Sequence, residues 1–132
     1  MTPLLHYSDS CTRFVIWHPA LVKQNSAVHA AIEWLEHEPV PAEQSLAGEP
    51  RTGVARLGEF GGLEVGVWEM TPGVMSDVEA EELFVVLSGA ATVEFDDGSP
   101  TLTLGPGDVV RLAEGAKTVW TVRETLRKVY LT

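Results

Sequence analysis

From Gly53 to Thr132 the chain is a succession of short apolar segments, rich in β-branched residues and separated by turn-forming pairs. The segment 63–70 runs into Thr71-Pro72-Gly73, 82–87 into Ser88-Gly89, and 91–95 into Asp96-Asp97-Gly98, where Asp-Gly suits a tight hairpin. Segment 101–104 leads to Gly105-Pro106-Gly107-Asp108, and 109–112, 117–122 and 126–131 follow. Each piece is too short for a helix of ordinary length, and turn signals recur every 8–12 residues or so. That pattern predicts an all-β sandwich or barrel.

The first 50 residues have another texture. The segment 13–17 reads as a short strand that His18-Pro19 interrupts, because the residue before proline avoids helical angles. Ser26 is a candidate N-cap for a helix over 27–37, with Val28, Ala31, Ile32 and Leu35 on one face and Glu33 one turn from His37. The proline-rich stretch 38–50 reads as a loop. The expected organisation is an N-terminal extension over 1–50 and a barrel over 51–132.

At 132 residues and 45% hydrophobic, the chain can bury a core without a disulfide or structural metal. Its one cysteine, Cys11, cannot form an internal bridge. With no basic, apolar leader at the start and no apolar run of about 20 residues, the expectation is a soluble cytoplasmic protein. The formal charge of −10 argues against nucleic acid or an anionic membrane as partner. No Lys, Arg or His occurs between Arg56 and Arg111, whereas eleven acids do, among them Glu69, Asp77, Glu79, Glu81, Glu82, Glu94 and Asp96. Such a field is a solvated surface, or it favours cationic and neutral polar ligands.

Two stretches carry a resemblance to a known superfamily. Glu82 is followed by six residues and Gly89, as in the second half of the first cupin motif; Gly107-Asp108 and Gly115 match the second. The run G-V-W-E-M-T-P-G, E-L-F-V-V-L-S-G, L-G-P-G-D-V-V, T-V-W-T-V and L-R-K-V-Y resembles the cupins grouped with ureidoglycine aminohydrolases and ethanolamine-utilisation proteins. The resemblance covers roughly residues 48–132. It implies a cupin-type double-stranded β-helix, or jelly-roll barrel, with a short N-terminal strand and helix extension.

The resemblance also implies a metal site, and there this chain departs from the pattern. Counting back from Glu82, the His-x-His positions fall on Ser76 and Val78, or on Met75 and Asp77 with a spacer one residue longer. The later histidine position holds Thr118. All four histidines, His6, His18, His29 and His37, precede both motifs, and His18 is the least implausible rescuing donor. One carboxylate and a hydroxyl are a poor donor set for iron, manganese or zinc, so no metal and no other cofactor is expected.

Strand alternation defines the candidate site. Glu82, Phe84 and Val86 should share a face, with Ser76 and Val78 if the strand runs on upstream; Asp77, Glu79 and Glu81 should point away. Thr118, Trp120 and Val122 share a face, and Trp68 or Glu69, but not both, should face inward. Trp17 and Trp34 are expected in a core or interface, and Arg111, Arg123, Arg127 and Lys128 on the outer face. Glu82 among apolar neighbours should be destabilised as an anion and is the candidate general acid or base. Three readings follow: a metal-free barrel binding a small polar, possibly amine-bearing molecule; an enzyme cleaving a C–N bond, as the ureidoglycine resemblance implies; and a structural module. A homodimer is expected under each.

Overall fold

The computed structural model describes residues 21–132. Among these residues nine strands, all paired antiparallel, make one curled sheet: β1 (Glu38–Pro39), β2 (Ser45–Ala47), β3 (Arg51–Phe60), β4 (Leu63–Met70), β5 (Gly73–Val78), β6 (Glu82–Phe95), β7 (Leu102–Leu104), β8 (Val109–Leu112) and β9 (Lys117–Leu131). The hydrogen-bonded path runs β1-β3-β4-β9-β5-β2, and β6 lies along β9 while also pairing β7 and β8. This is an all-β architecture of the kind that the resemblance implies. The stretch 38–50 is not a loop throughout, because β1 and β2 join the sheet from it.

Two segments read as strand–turn–strand are single bent strands. Segments 82–87 and 91–95 form one strand, β6, and 117–122 and 126–131 form β9. Along β9, the first half pairs β5 and the second half pairs β4, so this strand turns the corner of the barrel. β6 follows it through register shifts between Val86 and Ala91. Gly89 makes the bend possible. It sits at φ +99, where side chains other than glycine are strained, and a Cβ there would strike the Thr125 carbonyl oxygen and lie 2.6 Å from the Leu126 Cα.

Both faces of the β4–β9 corner are covered, which accounts for its nearly unbroken apolar sequence. Trp68, Met70, Leu126 and Tyr130 point into the barrel, with Phe84, Val86, Val93 and Trp120 opposite. Ala55, Leu57 and Val67 point outward and are buried beneath Leu35, Val28 and Ala30 of an N-terminal strap.

That strap is not the expected helix. Residues 26–29 and 33–37 have no regular secondary structure, with turns at 24–25 and 30–32. Arg127, expected on the surface, is buried and donates from Nη1 to the carbonyls of Ala30 and Glu33, both at 2.8 Å. Those carbonyls are thereby taken from any intrahelical ladder. Ser26 Oγ closes a turn on Lys23 instead of capping a helix, and Ile32 is 80% exposed. His37 pairs with Glu69 across the strap, at 2.7 Å, rather than with Glu33. Trp34 is more than half exposed and outside both cores. The strand expected at 13–17, Trp17 and the proposed donor His18 lie outside the described residues.

Gly89→Ala should destabilise the protein by roughly 2–4 kcal/mol, since it combines a strained φ with a backbone clash. Urea unfolding checks this, and a loss below about 0.5 kcal/mol would show that the corner can relax.

Candidate functional site

The barrel interior and its mouth hold two separate polar centres. The first is Glu82 at the start of β6. As alternation predicts, its side chain points inward with Phe84 and Val86, and it is fully buried. What alternation applied to acids and aromatics alone does not supply is its partner. Lys128, expected outside, points inward between Leu126 and Tyr130 and is 1% exposed. Its Nζ lies 2.9 Å from Glu82 Oε2 and 4.1, 4.5 and 4.8 Å from the ring centres of Phe84, Trp68 and Trp120. The sequence does carry a signal: Leu126, Lys128 and Tyr130 share one face by period two, and two of the three are apolar.

The rings also touch one another, with Trp120 at 5.6 Å from Trp68 and 5.9 Å from Phe84. Trp68 therefore faces in. Glu69 faces the strap, where it accepts from Arg127 Nε at 2.8 Å and meets His37, so it is not part of the interior. The Nζ–Oε2 contact is a charge contact off the hydrogen-bond direction, and neither oxygen of Glu82 has a hydrogen-bond partner among the described residues.

The second centre is Glu79. It was expected to point away from Glu82's side, but β5 ends at Val78 and β6 begins at Glu82, so alternation is not continuous across 79–81. The backbone there is tied to the 113–116 turn through Glu79 N to Ala116 O and Gly115 N to Glu79 O, both at 2.8 Å. The side chain turns inward and is 3% exposed. Thr118 Oγ1 donates to its Oε2 at 2.7 Å and Trp120 Nε1 donates to the same oxygen at 2.9 Å. A buried indole N–H and a buried hydroxyl both need an acceptor, and Glu79 supplies it.

The same strand break corrects the placement of two candidates. Ser76 and Val78 do not share the face of Glu82; Val78 is 60% exposed. On β5 the residues in register with inward Trp120 and Thr118 are Met75 and Asp77. Asp77 stands at the mouth, accepting from Val78 N at 2.8 Å, with Gln44 Nε2 at 3.5 Å from the same oxygen. Burial, and then the neighbouring Glu79, raise its pKa to about 6.

An open cleft of about 610 Å³ begins at this mouth. Ser76, Asp77 and Thr118 line it with Phe95, Val78 and Val119, Glu43, Glu94 and Asp96 add carboxylates, and among the described residues Lys117 is the one cation in the lining. Of the expected site residues, the structure therefore groups Glu82, Phe84, Trp68 and Trp120 around Lys128 in a closed interior. It groups Ser76, Val78 and Thr118 on the open cleft. Among the described residues no cluster of three or more His, Cys, Asp or Glu is arranged to hold a metal, and no helix is long and apolar enough to cross a membrane.

A folded pKa raised to about 6 means that native Asp77 binds its proton in a pH range where the unfolded chain, near 3.8, has lost it. This group's contribution to stability therefore falls as pH rises through about 4 to 6. Asp77→Asn should raise the melting midpoint by a few degrees at pH 7 and leave it nearly unchanged below pH 4. Equal effects at both pH values would contradict the burial argument.

Comparison with known proteins bears on the fold and the family. The model of the EutQ-like cupin domain matches residues 57–130, more than half of the chain. A structure of a protein with unknown function of the DUF861 family, from Pseudomonas syringae, superposes with TM-score 0.67 at 26% identity, covering 86% of this chain and 51% of that one. This chain thus spans about half the length of that relative. The Clostridium difficile EutQ protein superposes with TM-score 0.55 at 18% identity, covering 72% of this chain and 79% of that one. A protein of unknown function from Rhizobium leguminosarum gives TM-score 0.56 at 24% identity, covering 61% and 79%. No curated protein matches significantly.

Proposed function

The chain belongs to the EutQ-like cupin domain family, and on that premise we propose that it binds a small, amine-bearing polar molecule without a metal, in the acidic cleft at the barrel mouth. The observation that carries this reading is the lining of the cleft. Glu43, Asp77 and the pair Glu94 and Asp96 come from three stretches of chain and converge on one concave surface, where Lys117 is the only cation among the described residues. A net charge of −10 extends the same field outward. Phe95, Val78 and Val119 give the cleft an apolar wall, which with a few placed polar groups is the usual make-up of a small-ligand site.

The metal-free part of the proposal rests on donor chemistry. At the positions where cupins of the metal-using kind carry histidine, this chain has Ser76 and Val78 turned away from Glu82, Met75 and Asp77 in their place, and Thr118 bound to Glu79. Glu82 already faces an ammonium at 2.9 Å. Without imidazole these residues do not fit a mid-series transition metal.

One observation favours a second reading, cleavage of a C–N bond. Asp77 holds a proton up to about pH 6 beside Glu79 and opens onto the cleft, where a carboxyl group can protonate a departing amine. Ammonia release from ureidoglycine that is lost in Asp77→Asn would support it.

The binding reading predicts that small primary amines raise the melting midpoint by a few degrees at concentrations well above Kd, that matching carboxylates do not, and that salt weakens the effect. Paired Glu94→Gln and Asp96→Asn substitutions should reduce the shift. A thermal-shift series in which no amine, amide or ureide stabilises the protein would contradict it.

A further inference from the structure

The interior around Lys128 has the composition of an ammonium-recognition site. A cation within about 6 Å of an aromatic face is attracted by the ring quadrupole, and cages of such rings select alkylammonium groups. Here three rings, Trp68, Phe84 and Trp120, surround one ammonium at 4.1 to 4.8 Å, and Glu82 faces it with a carboxylate at 2.9 Å. The pieces come from three strands, β4, β6 and β9, that meet at the barrel corner. The cage is filled by the chain itself.

Glu82 is also the one residue retained at a cupin ligand position, so something must balance its charge away from bulk solvent. Its side chain has no exposed surface, and an unpaired carboxylate there would be very unfavourable. Cupins that use a metal supply the balancing charge with the ion.

We propose that Lys128 is the resident cation of this barrel: its tethered ammonium takes the role of the metal ion opposite Glu82, and the cage it fills is a binding site for a primary alkylammonium group. The proposal shares with the cleft reading only the absence of a metal. It makes no use of Asp77 or the cleft acids, so either can fail alone.

The test is to cut the tether and return the ammonium. Lys128→Ala removes three carbons and the amine, the atoms of n-propylamine. Adding n-propylammonium chloride to Lys128→Ala should raise its urea midpoint saturably, beyond sodium chloride at equal ionic strength. The rise should exceed any that wild type or Lys128→Ala combined with Glu82→Gln shows, since those two can respond only through the cleft, and manganese or zinc alone should bind neither variant stoichiometrically. An amine response absent from folded Lys128→Ala, or a stoichiometric metal in its place, would overturn the proposal.

Should Lys128→Ala fail to fold even with the amine, the cycle of Lys128→Met, Glu82→Gln and their double variant decides. Charge balance requires the double variant to be more stable than the sum of the two single losses predicts, by at least tenfold in the folding equilibrium constant. Additive effects would contradict it. Because the cleft acids are untouched in all of these variants, a response to amines that survives the loss of Glu82 and Lys128 reports the cleft and not the cage.

Discussion

The contact between Lys128 and Glu82 sets the terms for the rest of the interior. Neither group is exposed to bulk solvent, and each would be strongly unfavourable in the barrel alone, since breaking a buried pair by removing one partner typically costs about 3–5 kcal/mol. Attraction at 2.9 Å offsets part of the desolvation, and three ring faces supply more. The arrangement works only if β4, β6 and β9 bring Trp68, Phe84, Trp120 and Lys128 to one point, and the bend at Gly89 lets β6 follow β9 there. Burying such a pair is weak evidence for stability. It is better understood as a condition on the fold that ties the corner of the sheet to the chemistry inside it.

The polar interior is layered. At the closed level, Glu82 and Lys128 balance one another. One step toward the mouth, Trp120 turns its ring face to Lys128 and its N–H to Glu79, so a single side chain belongs to both centres. Glu79 is held by Thr118 and Trp120, and Asp77 stands beyond it at the cleft. The outer face of the sheet repeats the logic with Arg127, which satisfies two strap carbonyls and Glu69 together. Adjacent residues on β9 thus face opposite ways, and each fastens a different layer.

Much of this was legible in the residues. Period-two alternation placed Glu82, Phe84 and Val86 on one face and required Trp68 and Glu69 to part, and the turn residues located most strands. What alternation could not reveal was where it stops. The break at 79–81 turns Glu79 inward and Ser76 and Val78 outward. Ser88-Gly89 has the composition of a turn, yet here glycine lets a continuous strand bend, because its partner Thr125–Leu126 presses against it. The strap has a helical apolar pattern, but tertiary hydrogen bonds from Arg127 outweigh that local preference. Lys128 was the residue most readily misplaced, since charge argues for the surface while its apolar neighbours at positions 126 and 130 argue for the core.

The most direct test of this account is the electron density around Glu82 in a crystal structure of the untagged protein at neutral pH. The account predicts Lys128 Nζ about 3 Å from the carboxylate, enclosed by Trp68, Phe84 and Trp120. A metal ion or bound ligand against Glu82, with Lys128 displaced from the rings, would contradict it.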